Sequence, residues 1–164
     1  MKAYLGLGSN IGNRFENLNE AVRLLNEAAE IRVMNVSKIY ETVPVGGPEQ
    51  PDYLNAAVEI ETTLEPATLY QQCSTIERAL GRVRMERYGP RIIDIDIVLY
   101  EQLVVKTDDL NIPHPQMHER AFVLCPLADL APDCVHPVLG LTVSELLECV
   151  NQSGVQKIDK RVTH

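Results

Sequence analysis

Apolar residues recur along the chain with two different periods, and the switches between them mark out the elements. Lys2 to Leu7 is an apolar run of strand length, closed by Gly8-Ser9-Asn10 and Gly12. Phe15, Leu18, Ala21, Val22, Leu25 and Ala28 then recur at intervals of three and four. That spacing predicts a helix to about Ala29, with Glu16, Arg23 and Glu27 on its other face. Ser9 or Asn10 near the start of this helix suits a tight strand-to-helix turn. Ile31 to Thr42 and Tyr53 to Thr63 read as strands that pair antiparallel, the second through the alternation in Ala57-Val58-Glu59-Ile60-Glu61-Thr62. Between them Val43 to Pro51 holds three prolines and two glycines in nine residues, the mark of a surface loop. Pro66 opens a second helix that carries Leu69, Cys73, Ile76 and Leu80 and ends at Gly81. Arg82 to Pro90 is loop, Ile92 to Tyr100 is the most β-branched segment, and Leu103 to Val105 is expected to extend the sheet.

The order β-α-β-β-α-β predicts an α+β fold with a ferredoxin-like core, a four-stranded antiparallel sheet with two helices on one face. From Asn111 onward the chain adds Pro-rich connections and a helix around Val143 to Val150, a C-terminal extension within a single domain, 1–164. A net charge of -8 over 164 residues argues against a nucleic-acid partner, which would need a dominant basic face. No apolar run approaches the ~18 residues that a membrane span requires. The N-terminus reaches Ser9-Asn10 before a secretory core could form, and Cys73, Cys125, Cys134 and Cys149 include no C-x-x-C pair. A cytoplasmic monomer with reduced thiols is the expectation.

Two clusters depart from this background. Asp94-Ile95-Asp96 places two carboxylates on one face of an apolar strand, roughly 7 Å apart. Either that face is solvated, or a cation neutralises it; Mg²⁺, which takes oxygen ligands and shares them with phosphates, fits the second alternative. Immediately upstream, Arg78, Arg82, Arg84, Arg87 and Arg91 fall in a 14-residue window with one acid, Glu86. Such a run is commonly a solvated face, but here it feeds into the paired aspartates. Guanidinium forks on one side and carboxylate-bound Mg²⁺ on the other could grip a polyphosphate. Gly6-Leu7-Gly8-Ser9-Asn10-Ile11-Gly12 misses the dinucleotide spacing by one residue. His114 and His118 are four apart, yet Pro113 and Pro115 oppose the helix that a zinc pair would need.

Arg87-Tyr88-Gly89-Pro90-Arg91-Ile92-Ile93-Asp94-Ile95-Asp96-Ile97-Val98 closely resembles the signature of the 6-hydroxymethyl-7,8-dihydropterin pyrophosphokinases. Leu7-Gly8-Ser9-Asn10, Gln50 to Ala57 and the segments Ile112-Pro113-His114 and Arg120 to Leu124 are similar to the family in order and spacing, over about residues 3 to 135. The resemblance implies transfer of the terminal diphosphate of ATP to the hydroxymethyl group of the reduced pterin, with release of AMP. It implies that Asp94 and Asp96 hold two Mg²⁺ ions and that Arg82 and Arg91 stabilise the charge built up during transfer. ATP contacts carried over are Glu77, Arg84, Tyr88, Arg91, Ile97, His114 and Arg120. Pterin contacts are Thr42, Val45, Gly46, Tyr53, Asn55 and Phe122, with Tyr53 and Phe122 sandwiching the ring. The chain departs from well-known bacterial members in a loop one residue shorter at Met85-Glu86, and at Ser74, Asp109 and Pro115.

Two other classes compete. A non-catalytic ferredoxin-like module, whether a regulatory domain or an RNA reader, explains the topology but not the arginines beside Asp94 and Asp96. An RNA reader also needs aromatic positions on central strands, and the chain has no Trp and two Phe. An ordinary kinase moving the γ-phosphoryl group would release ADP where a pyrophosphokinase releases AMP.

Overall fold

Ala3, Leu5 and Leu7 project from one side of the first strand and are buried, while Tyr4, Gly6 and Gly8 lie on the other. This alternation divides the molecule into two layers about a sheet. The computed structural model describes residues 1–44, 49–81 and 91–162. Its first half runs β1 (Lys2–Ser9), α1 (Arg14–Glu27), β2 (Ile31–Val36), β3 (Lys38–Thr42), β4 (Tyr53–Thr62), α2 (Pro66–Ala79) and β5 (Asp94–Tyr100). β1 is central, antiparallel to β4 on one side and to β5 on the other. β2 and β3 lie end to end along β4. The resulting order is the ferredoxin-like one expected from the sequence.

α1 and α2 cover the face of Leu5 and Leu7. Leu18, Ala21, Val22 and Leu25 of α1 and Leu69, Cys73 and Ile76 of α2 meet Val58, Ile60, Ile95 and Ile97 there. The helix cap is Asn13, not Ser9 or Asn10: its Oδ1 accepts from Glu16 N at 3.0 Å. The single strand expected over Ile31 to Thr42 is broken at Ser37. The Ser37 hydroxyl accepts from Ala57 N at 2.7 Å and donates to the Lys38 carbonyl at 2.7 Å, so a side chain takes a place in the ladder.

The second half continues β6 (Val105–Lys106), β7 (Asn111–Ile112), one 3₁₀ turn at Met117–Glu119, α3 (Ala121–Leu130), α4 (Val143–Glu148) and β8 (Val155–Arg161). Leu103 to Val105 does not extend the main sheet, because Val105 pairs with Ile112 in a separate two-stranded sheet. α4 falls where a helix was expected, with a capping box in which Thr142 and Glu145 satisfy each other's backbone amides. α3 was not anticipated; it is apolar all round but for Asp129 and contains Pro126, so it shows no stripe. β8 was not anticipated either, since its residues are mostly exposed and charged, yet it lengthens the sheet beside β3. α3 and α4 cover the second face only in part. Leu124, Leu127, Val143 and Leu146 pack on Tyr4, Val98 and Leu99, beyond which Gly6, Gly8, Asp94 and Asp96 line a cavity. Among the described residues no helix is long and apolar enough to cross a membrane.

Candidate active site

The uncovered part of the second face is the floor of a cavity of about 340 Å³. Strand register builds that floor. Gly8 stands between Asp94 of β5 and Asn55 of β4, and Gly6 stands between Asp96 and Ala57. The two carboxylates therefore share a face with glycines beside them, as the Asp-Ile-Asp spacing predicts. Space is short at both glycines: a Cβ at Gly8 would lie 2.9 Å from Asn55 Nδ2 and 3.3 Å from the Tyr53 ring, so something must shift, and one at Gly6 would press on Val98 at 3.3 Å.

The walls bring in residues from distant segments. Thr42, Tyr53, Asn55, Arg91, Asp94, Asp96, His114, Arg120 and Phe122, all expected from the sequence, line the cavity together. The Thr42 hydroxyl donates to Asn55 Oδ1 at 2.6 Å, and Asn55 Nδ2 donates to the Leu7 carbonyl at 3.4 Å, so the amide is held flat against the strands. Phe122 lies under the Arg120 guanidinium at 5.5 Å, and Arg120 also bonds Gln116. The Arg91 Nε stands 3.8 Å from Asp94 Oδ1.

His114 is pushed down to about 4, first by burial and then by the Arg120 charge, so its ring is neutral near pH 7. Its Nδ1 accepts from Gln116 N at 3.2 Å, which leaves the ring proton on Nε2 as a donor. Glu77 and Ile97 do not line the cavity. Glu77 is buried and accepts from Ile95 N at 2.7 Å, so it fixes the strand between the two aspartates along the edge of β5 that faces away from β1. Ile97 packs into the core with α1 and α2. Arg82, Arg84, Tyr88, Val45 and Gly46 lie outside the described residues, as do Arg87, Met85 and Glu86. Arg78 is exposed on α2 and donates to Thr75 Oγ1 at 3.3 Å.

Asn10 was missed by sequence reasoning. It is buried, and its Nδ2 donates to Gln50 Oε1 at 2.7 Å and to the Pro51 carbonyl at 3.0 Å. Its Oδ1 accepts from Arg91 N at 2.8 Å and its own N donates to the Arg91 carbonyl at 3.0 Å. One amide thus ties two cavity-lining residues, Gln50 and Arg91, to the end of β1. Nothing in a Gly-Ser-Asn triplet announces such partners, which lie 40 and 81 residues away.

Two carboxylates at the floor suit a hard cation that completes its shell with phosphate and water oxygens. Among the described residues there is no group of three His, Cys, Asp or Glu such as a zinc site would use. His118 does not join His114; its ring meets that of His136 edge-on at 6.4 Å. The cysteines are all thiols, and burial pushes Cys73 up to about 12, an inert state.

Comparison with known proteins bears on what this cavity does. A family model described as 7,8-dihydro-6-hydroxymethylpterin-pyrophosphokinase matches residues 4–132. The chain is 48% identical over 158 residues to 2-amino-4-hydroxy-6-hydroxymethyldihydropteridine pyrophosphokinase of Methylorubrum extorquens, covering 96% of this chain and 99% of that one. It is 50% identical over 128 residues to the Bacillus subtilis protein of the same name, covering 78% and 77% respectively. It also matches the folic acid synthesis protein fol1 of Schizosaccharomyces pombe at 44% identity over 94% of this chain, but spans only 21% of that longer protein. Among solved structures, wild-type HPPK-DHPS of Plasmodium falciparum superposes with a TM-score of 0.73 at 18% identity, over 90% of this chain and 44% of that one. That likeness speaks for the fold alone.

Proposed function

The chain belongs to the 7,8-dihydro-6-hydroxymethylpterin-pyrophosphokinase family and is a pyrophosphokinase of folate synthesis, and we propose that its reaction runs in the cavity over Asp94 and Asp96. The substrates are ATP and 6-hydroxymethyl-7,8-dihydropterin. The hydroxymethyl oxygen attacks the β-phosphorus, the bond from that phosphorus to the oxygen bridging to the α-phosphate breaks, and AMP leaves. The hydroxyl proton passes to solvent. The observation that carries this reading is the shared face of Asp94 and Asp96, opposite Gly8 and Gly6 at the floor of a cavity whose other wall holds Tyr53, Asn55 and Phe122.

Each residue has a task that its chemistry supports. Asp94 and Asp96 would hold Mg²⁺, two ions in this reading, which supplies neutralisation of phosphate charge and aligns the oxygens in line. Arg91, its backbone held by Asn10, offers a guanidinium fork to the phosphates within the same cavity. Neutral His114 donates Nε2–H to a phosphate oxygen without adding a proton that would have to be lost. Tyr53 and Phe122 give apolar faces to a flat ring, and Asn55, fixed by Thr42, offers amide atoms to its edge. Arg82, Arg84, Tyr88, Val45 and Gly46 keep the roles that the resemblance implies, and Glu77 and Ile97 act on the nucleotide side through the strand they support. The reading takes one domain, 1–164, acting as a monomer, and a cytoplasmic setting in which the four thiols stay reduced. The further activities of the longer relatives are no part of it.

Purified protein incubated with ATP, Mg²⁺ and the pterin is expected to give AMP and pterin diphosphate in equal amounts, dependent on pterin and abolished by EDTA. ADP in place of AMP would mean γ-phosphoryl transfer, and no nucleotide product would leave a binding module.

A further inference from the structure

β3 would be the edge of the sheet if β8 were absent, and β3 ends at Thr42, the residue that orients Asn55. β8 covers that edge: Thr42 stands opposite Val155, Glu41 opposite Gln156 and Tyr40 opposite Lys157. The pairing continues past the strand, where Val43 N donates to the Gly154 carbonyl at 3.1 Å. It reaches Val43, itself a cavity-lining residue, at the start of the loop that leads to Tyr53. A strand end paired on one side frays readily, whereas one paired on both sides is held. β8 lies beyond residue 132, where the match to the family model stops.

We propose that β8 is a positioning element for the pterin half of the site: by closing the ladder on β3 it holds Thr42 and Val43, and through the Thr42 hydroxyl the amide of Asn55. This rests on the reading of that half of the cavity as the pterin subsite. On the same face, Asp94, Asp96 and Arg91 of the nucleotide half lie toward β5, at the opposite edge of the sheet from β8, and of the nucleotide contacts Arg120 lines a pocket beside Val155.

Alternation in an antiparallel ladder supplies the test. Since Val43 and Gly154 form a hydrogen-bonded pair, Glu41 and Gln156 form the next, and Gln156 N–H points toward β3. The neighbouring Lys157 N–H then points away, to solvent at the sheet edge. Both side chains are exposed. Proline at each position removes one N–H, but only Gln156→Pro removes a ladder bond, because an edge strand tolerates proline where its N–H faces solvent. Gln156→Pro is expected to raise the pterin KM about tenfold, with the ATP KM and kcat within about twofold of wild type, and Lys157→Pro to behave as wild type. Equal behaviour of the two variants, or a parallel rise in both KM values, would overturn the proposal. If Gln156→Pro does not fold, amide exchange of the unaltered protein decides: a protected Val43 N–H is expected, and exchange at the rate of an open chain overturns it. Absence of pterin-dependent AMP from the wild-type protein would instead overturn the functional reading itself.

Discussion

The two faces of the central sheet are made from the same strands and have opposite fates. On the face of Leu5, Leu7, Ile95 and Ile97, α1 and α2 bury an unbroken apolar layer. On the face of Tyr4, Gly6, Gly8, Asp94 and Asp96 the cover of α3 and α4 stops halfway. The covered part holds large side chains, Tyr4, Val98 and Leu99, and the uncovered part holds glycines and carboxylates. The same two strands, β1 and β5, thus store stability on one side and leave space on the other, and the glycines of β1 make the space. A mutation should therefore act on folding or on turnover according to which face it enters.

The largest effect is expected at the floor. Asp96→Ala, on an exposed side chain, should lower turnover on the order of 10³-fold with thermal stability unchanged; near-normal AMP release would remove the metal assignment. On the opposite face, Leu18→Ala should cost about 3 kcal/mol of unfolding free energy in urea while the folded fraction keeps its KM values. A loss of activity beyond the loss of folded protein would break the separation of the faces. Gly8→Ala tests the boundary between them. The added methyl must displace Asn55 or Tyr53, so the pterin KM should rise roughly tenfold and the ATP KM little. Thr142→Ala removes the capping box of α4, with an expected cost of about 1 kcal/mol and no kinetic change.

A further effect is read against pH. His114 titrates near 4 when folded and near 6.5 when unfolded, so the unfolded chain takes up its proton first as pH falls. Its contribution to stability is complete above about 6.5, declines between about 6.5 and 4, and is constant below. Denaturation of His114→Gln beside wild type should give curves that converge or cross as the pH drops through that window. Parallel curves would mean that the ring is not shielded as the structure places it.

The helices of the first face were legible because an amphipathic stripe is a one-dimensional signal; Phe15 to Ala28 and Leu69 to Leu80 need no partner to be recognised. The paired aspartates were legible for the same reason, since a period of two fixes their common side. Less of the second face could be read. α3 is apolar all round but for Asp129, so its 3.6-residue period is hidden, and β8 is charged because it is an edge, where alternation has little to bury. The break at Ser37 depends on a hydroxyl finding Ala57 in another strand, which no local pattern encodes. At the site, the aromatic and amide residues came from resemblance; their own spacing reveals nothing. Resemblance took in Asn10 only as the end of Leu7-Gly8-Ser9-Asn10 and gave it no task, because its importance lies in partners far along the chain.

Asn10 also bears on how such a chain can vary. Its amide fastens Gln50 and Pro51, where one loop returns to the sheet, and Arg91, where another does. With both return points riveted to the same residue of β1, insertions or deletions upstream of either rivet need not be transmitted to the strands that follow. The loop before Arg91 can then be a residue shorter or longer without changing the phase of Asp94 and Asp96, whereas a deletion between Arg91 and Asp94 would turn both carboxylates to the wrong side of the sheet.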